Sequence, residues 1–247
     1  MKYFPLLLFI ILFNCNDKKN PEFSAQDIID QSIEASGGQT IERSKIEFDF
    51  RDIHYSALRD KGTFEYIRRF QKDSIEIIDK LSNNGFERLI NNKSIKLEDS
   101  ISDRFTASVN SVHYFSVLPY GLNDAAVNKD FLKETKIGNQ NYFEIKVTFD
   151  ENGGGEDFED VFVYWINKTT LMIDFLAYSY EEADGKGIRF REAINERFVK
   201  GIRFVDYKNY KPADASINLS DLPSLYVGNQ LDLVSKIELE NIEVKSL

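Results

Sequence analysis

Few residues in this 247-residue chain have a type and spacing suited to chemistry. Its histidines, His54 and His113, stand in no metal-ligand spacing, and the lone cysteine, Cys15, cannot complete a zinc set. No motif marks a serine activated by either histidine. Glu159 and Asp160 are the adjacent carboxylates a hydrolase would need. Neighbours along a strand point to opposite faces, so the two cannot share a substrate. Asp150, Asn152, Glu156, Asp157, Glu159 and Asp160 surround a triple glycine and offer oxygens to calcium. The twelfth position counted from Asp150 is Val161 where an EF-hand has Glu, and Gly153-Gly154-Gly155 lacks the Lys and Thr of a phosphate loop. A solvated hairpin loop is the expected form. No cofactor or metal site is expected.

Arg189, Arg191, Asn195 and Arg197 share one face of a single strand, with Arg203 on its neighbour. Such a row can grip a phosphate or carboxylate, because guanidinium binds these groups in a fork. It can equally form cross-strand ion pairs with Glu181, Glu192 or Glu196. Arg189 and Arg191 are the candidate anion contacts.

Cys15 carries a different chemistry. Lys2 is followed by an unbroken apolar run, Tyr3 to Phe13, that ends at Asn14. Eleven residues in a helix span roughly 16 Å, about half a bilayer core, so the run is too short to cross a membrane and reads as the core of a signal peptide. Leu12-Phe13-Asn14-Cys15 resembles a lipoprotein cleavage box, with Leu12 in register and Phe13 and Asn14 bulkier than usual. The expected plan is a signal peptide over 1–14, a lipidated linker over 15–23 beginning at Cys15, and one domain over 24–247.

Cleavage would remove Lys2 and no acid, leaving 30 basic against 41 acidic residues, a net charge of −11. That balance opposes nucleic-acid binding, which rests on cations neutralising phosphates. It also opposes flat adhesion to anionic lipid, so an acyl anchor would have to do the tethering. The 20 Phe and 12 Tyr supply enough apolar mass for a sizeable core and exclude general disorder.

The elements that must position these residues are mostly strands. Ser24 to Ser36 predicts a helix, with Ser24 and Asp27 as an approximate capping box and Gly37-Gly38 as its stop. From Lys45 the apolar period becomes two, and turn residues at 59–62 and in the Asn-Asn and Asn-Gly steps divide a meander. Ser102 to Leu118 returns to helical spacing, with Phe105, Val109 and Val112 on one face and Pro119 beyond its end. Asp124 to Lys133 reads as another short helix. The meander resumes from Tyr142 to Tyr210, Lys211 to Gln230 is irregular, and Lys236 to Val244 closes the chain as a strand. The fold class is mainly β with helices (α+β): a strongly curled antiparallel sheet, or open half-barrel, of about ten or eleven strands. An N-terminal helix and a helical lid insertion complete it.

The hairpin Phe158–Tyr180 is apolar on both faces. Phe162, Tyr164 and Ile166 point one way, and Val161, Val163 and Trp165 the other; Ile173 and Phe175 oppose Leu176 and Tyr178. Strands polar on neither face are covered on both. One cover is a ligand cavity within the curl, and the other is a packed core. Tyr164, Trp165 and Tyr178, with His113 and Tyr114 of the insertion, are the candidate cavity residues.

Several runs resemble an uncharacterised family of Bacteroidota envelope proteins with a domain of unknown function. They are His113-Tyr114-Phe115, Leu118-Pro119-Tyr120-Gly121-Leu122-Asn123-Asp124, Lys146-Val147-Thr148-Phe149, Leu176-Ala177-Tyr178-Ser179-Tyr180, Arg189-Phe190-Arg191-Glu192 and Asp206-Tyr207-Lys208-Asn209-Tyr210. The architecture is similar to the lipoprotein-carrier fold of LolA and LolB, in which a curled sheet closed by helices holds acyl chains. The resemblance implies a monomeric lipoprotein of the cell envelope, tethered to the outer membrane on its periplasmic or surface face, with a lipid or other apolar ligand on the concave face. An envelope hydrolase and a structural or partner-binding lipoprotein are the alternatives.

Overall fold

Ser24 caps the first helix, α1 (Ala25–Ala35), through a reciprocal box: its hydroxyl accepts from the Asp27 amide and the Asp27 carboxylate accepts from the Ser24 amide. Ile28 and Ile29 are buried, which fixes the face that docks. Gly37 ends the helix at φ 88°, a left-handed position natural to glycine, and leads into the short α2 (Gly38–Ile41). The computed structural model describes residues 24–155, 158–182 and 185–247. The expected signal peptide, Cys15 and the linker lie outside the described residues, as do Glu156 and Asp157 of the acidic loop.

Fourteen antiparallel strands form two seven-stranded curled sheets among the described residues. The first sheet holds β1 (Arg43–Phe50), β2 (Ile53–Asp60), β3 (Thr63–Lys72), β4 (Ile75–Ser82), β5 (Gly85–Ile90) and β6 (Lys93–Ile95), a meander of short turns. Helix α3 (Asp99–Ser116) then crosses the concave side. The second sheet holds β7 (Val127–Ile137), β8 (Gln140–Phe149), β9 (Val161–Asn167), β10 (Ile173–Glu182), β11 (Gly185–Val199) and β12 (Ile202–Lys211). After α4 (Leu222–Val227), β13 (Asp232–Ile237) pairs with β12, while β14 (Glu240–Ser246) pairs with β1. Consecutive strands thus finish different sheets and join them at a seam. The outer edges, β6 and β7, do not meet, so the curl stays open.

The curled antiparallel architecture agrees with the sequence reading, and the strand count rises to fourteen for three local reasons. The alternation from Lys45 hides a two-residue turn at Arg51, which takes φ 55° without help from Gly or Asn. The expected helix over 124–133 is instead part of strand β7, held by pairing of Val127 with Phe149 through Ile137 with Gln140. An edge strand with one exposed face offers little apolar alternation, and tertiary pairing decides such a case. The closing segment is two strands, not one. Lid helix α3 begins at Asp99, three residues ahead of the expected Ser102.

Three cores result. On the concave side of the second sheet, Tyr164, Ile145 and Leu176 pack under Ile28 and Ile29 of α1. On its convex side, Trp165, Phe175 and Phe190 pack under Leu222 of α4 and the partly buried Tyr226. At the seam, Ile46, Phe48 and Tyr55 of the first sheet meet Ile202 and Phe204 of β12. Two-sided apolarity in β9 and β10 therefore has two covers of different kinds. A bulge at Asp174 alters the expected facing on β10: Ile173 pairs with Ile166 and Phe175 with Trp165, so Ile173 joins the concave core and Phe175 the convex one.

Candidate functional site

A cavity of about 1370 Å³ lies between the two sheets beneath α3. Elements from both sheets wall it. Tyr66 comes from β3, Phe162 from β9, Tyr178 from β10 and Tyr207 from β12, while Tyr114 and Phe115 descend from α3. A cluster of aromatic rings forms part of the wall, beside polar residues such as Asn110, Ser111 and Asn209. Phe162 and Tyr178 stack at 5.2 Å between ring centres, and Phe115 lies 6.1 Å from each. Gly121 lies so close to Tyr114 that an added Cβ would come within 2.7 Å of its ring. Gly153, Gly154 and Gly155 of the acidic loop line the rim beside Asn152. Among the described residues no group of His, Cys, Asp or Glu could hold a metal ion.

The structure divides the seven candidate residues. Tyr114, Tyr178 and Arg191 reach the cavity. Tyr164 is fully buried just behind it, near the Tyr114 hydroxyl. Trp165, one step along β9, points to the opposite face and belongs to the convex core. Arg189 donates to the carbonyl of Ile188 at 2.9 Å and lies 5.3 Å from the centre of the Tyr180 ring, away from the cavity lining. His113 is buried in a cage of rings, stacked on Tyr66 at 4.8 Å with Phe48 and Tyr55 edge-on. Its Nε2 lies 3.2 Å from the Ile67 carbonyl, which must accept, so the proton is on Nε2. Burial first and the nearby Arg59 cation second push the imidazole down to about 3. Such a ring stays neutral and packs α3 against the first sheet; it is not on the cavity lining.

The arginine row also divides. Arg203 pairs with Glu196 at 2.5 Å, one of the expected carboxylates, and Arg197 pairs with Asp206 at 2.9 Å, which was not among them. A register shift between Ile194 and Arg197 separates this end of the row from Arg191. Arg191 donates to the Tyr178 hydroxyl at 2.7 Å and lies 4.5 Å from the centre of the Phe115 ring. No carboxylate lies within ion-pairing distance of it among the described residues.

Alternation along the strands missed two groups. One is Arg59 on β2, only 4% exposed, which donates to the Tyr66 hydroxyl at 3.2 Å and lies over the Tyr66 and Tyr120 rings. The other is Tyr207 on β12, whose hydroxyl is buried at the cavity floor. Arg59 fell within the expected turn over 59–62 and lies in strand β2 instead, while the signal for Tyr207 was the matching concave phase of β11 and β12, which only the strand pairing reveals.

The fold is similar to that of LolA-like proteins. A LolA superfamily protein from Nitrosomonas europaea is similar at a TM-score of 0.52 and 12% identity, over 91% of this chain and 95% of that one. A DUF1329 family protein from Desulfovibrio piger is similar at a TM-score of 0.44 and 11% identity, over 89% of this chain and 92% of that one. No curated protein matches. Residues 1–239 match the family of unknown function DUF6503, and the chain belongs to that family.

Proposed function

We propose that this protein is an envelope lipoprotein, tethered through Cys15 to the outer membrane, that holds a lipid or other apolar ligand in the cavity under α3. The cavity carries the reading: its volume of about 1370 Å³ exceeds the roughly 300–1,000 Å³ of ordinary small-molecule pockets, and a cluster of aromatic rings forms part of its wall. The LolA-like fold supports it at the level of architecture alone. Helix α3 is the lid. A hydrolase gains no support, because His113 is caged and neutral, and Glu159 is exposed while Asp160 faces the cavity.

Native mass spectrometry of the full chain after mild extraction tests the binding. A bound apolar species is expected, and Phe115→Glu, which places a charge in the wall, should lose it. Bare protein under every extraction condition would overturn the reading. Incorporation of a labelled fatty acid into the wild type but not into Cys15→Ala tests the tether separately.

A further inference from the structure

The floor of the cavity holds hydrogen-bond donors with nothing to donate to. Arg191 uses one terminal nitrogen on Tyr178, but its Nε is buried without a partner. The hydroxyl of Tyr207, a residue 3% exposed, is likewise buried and unpartnered, and Tyr207 lines the same cavity. The Tyr114 hydroxyl, also on the lining, and the Tyr164 hydroxyl behind it approach each other without a well-formed hydrogen bond. Burial raises all three phenols, so they remain protonated donors at neutral pH. Arg191 acts electrostatically on both Tyr164 and Tyr207, which locates the groups in one neighbourhood.

Unsatisfied buried donors are rare and destabilising, and a guanidinium without a counter-ion is more so. The molecule's other arginines show the contrast. Arg68 and Arg203, both buried, have carboxylate oxygens at 2.6 and 2.5 Å. Arg59 on the same lining is intermediate: its Nη1 is also buried without a partner, but it lies over the Tyr66 and Tyr120 ring faces and feels the attraction of Asp124. Of the other lining carboxylates, Asp103 is exposed and Asp124 is partly so, its carboxyl raised by burial, and neither forms an ion pair with Arg191. One N–H and a cluster of O–H donors around a cation fit an oxyanion, whose lone pairs accept several donors at once.

We infer that the ligand is an anionic amphiphile, with its carboxylate or phosphate head bound by Arg191 and the Tyr207 and Tyr114 hydroxyls and its apolar chain lying along the Phe115, Phe162 and Tyr178 wall. This rests on the proposed apolar-ligand reading and adds the head group to it. Arg189 has no part in the site.

The test compares a long-chain fatty acid, its methyl ester and a phosphate-headed lysolipid of the same chain length. Each is titrated into the purified full chain and into Arg191→Met, Arg191→Lys and Tyr207→Phe, with ligand-free melting curves as a folding control. The wild type should bind the acid at least about tenfold more tightly than the ester, as expected for one charge-assisted contact. Arg191→Met should abolish that gap while keeping ester affinity, Arg191→Lys should retain part of it, and Tyr207→Phe should narrow it with no change of charge. The lysolipid arm separates a phosphate head from a carboxylate: whichever binds more tightly names the source. Equal affinity for acid, lysolipid and ester would overturn the anionic head and leave the apolar reading standing. No binding of any of the three would overturn both. A gap that survives Arg191→Met, or that collapses in an Arg59→Met variant instead, would overturn the assignment to Arg191.

Discussion

The guanidinium carbon of Arg88 lies 3.5 Å from the centre of the Phe105 ring, joining β5 of the first sheet to the lid helix. Arg88 is held in place by the fully buried Asp79, whose two oxygens accept from Arg88 and Arg68 at 2.6 Å each. Arg68 in turn donates to Ser108 of α3 at 2.6 Å. The N-terminal half of α3 thus rests on a buried ion network, and its other half on rings that include those lining the cavity.

Asp79→Asn leaves two largely buried cations short of their counter-charge. A loss of about 3–5 kcal/mol of stability is expected in urea unfolding. Phe105→Ala is milder, because the Arg–Asp network survives; it should speed amide exchange in α3 with little change in the strands.

His113 makes stability pH-dependent. In the folded protein its pKa falls to about 3 from 6.5, so the unfolded chain takes up a proton at a pH where the folded one does not. The contribution is complete above pH 6.5 and is lost as pH falls toward 3, at up to about 1.4 kcal/mol per pH unit. His113→Phe preserves a ring in the stack and should flatten the stability profile between pH 6.5 and 5, above the range of ordinary carboxylates.

Trp165 and Tyr178 separate structure from ligand. Trp165→Ala opens a hole in the convex core and should cost about 3–5 kcal/mol, yet leave the affinity for a fluorescent lipid unchanged in whatever fraction folds. Tyr178→Ala should weaken that affinity with a smaller loss of stability, since its ring borders the cavity. Equal effects of both on affinity would contradict the placement of the site.

Gly37→Ala tests the junction of α1 with β12. A Cβ there would sit 2.2 Å from the Gly201 carbonyl oxygen, a backbone atom that cannot swing aside, at a φ of 88°. A loss of about 2–4 kcal/mol in thermal unfolding is expected. Gly62→Ala, at a similar φ but with open space around it, should lose less.

Local signals were the legible ones. The Ser24–Asp27 box, the stop at Gly37, the helical spacing around Val109 and the alternation of Phe162, Tyr164 and Ile166 all specify their elements through residues near in sequence. Arg51 gave no sign of its turn because its conformation is imposed by the pairing of Phe50 with Ile53. The bulge at Asp174 is fixed by distant groups, with Tyr142, Asn167 and Arg203 gathered round its carboxylate, so strict alternation misplaced one residue. The site suffered most. Alternation says which way Trp165 and Tyr164 point relative to each other but not which face is hollow, and Tyr207 became visible only once β12 lay beside β11.

The seam between the sheets has a consequence for how the molecule is made. β1 is the first of the described strands and its inner edge is covered by β14, the last of them; the inner edge of β12 likewise waits for β13. The second sheet is unfinished until β13 has been made, and the first until β14 has. Until then two unpaired edges remain open to stray pairing, and the closure of β1 by β14 joins Ser44 to Ser246 across a long stretch of sequence, which makes for slow assembly. A nascent chain stalled before residue 232 should therefore depend on a holding chaperone in a way the finished one does not.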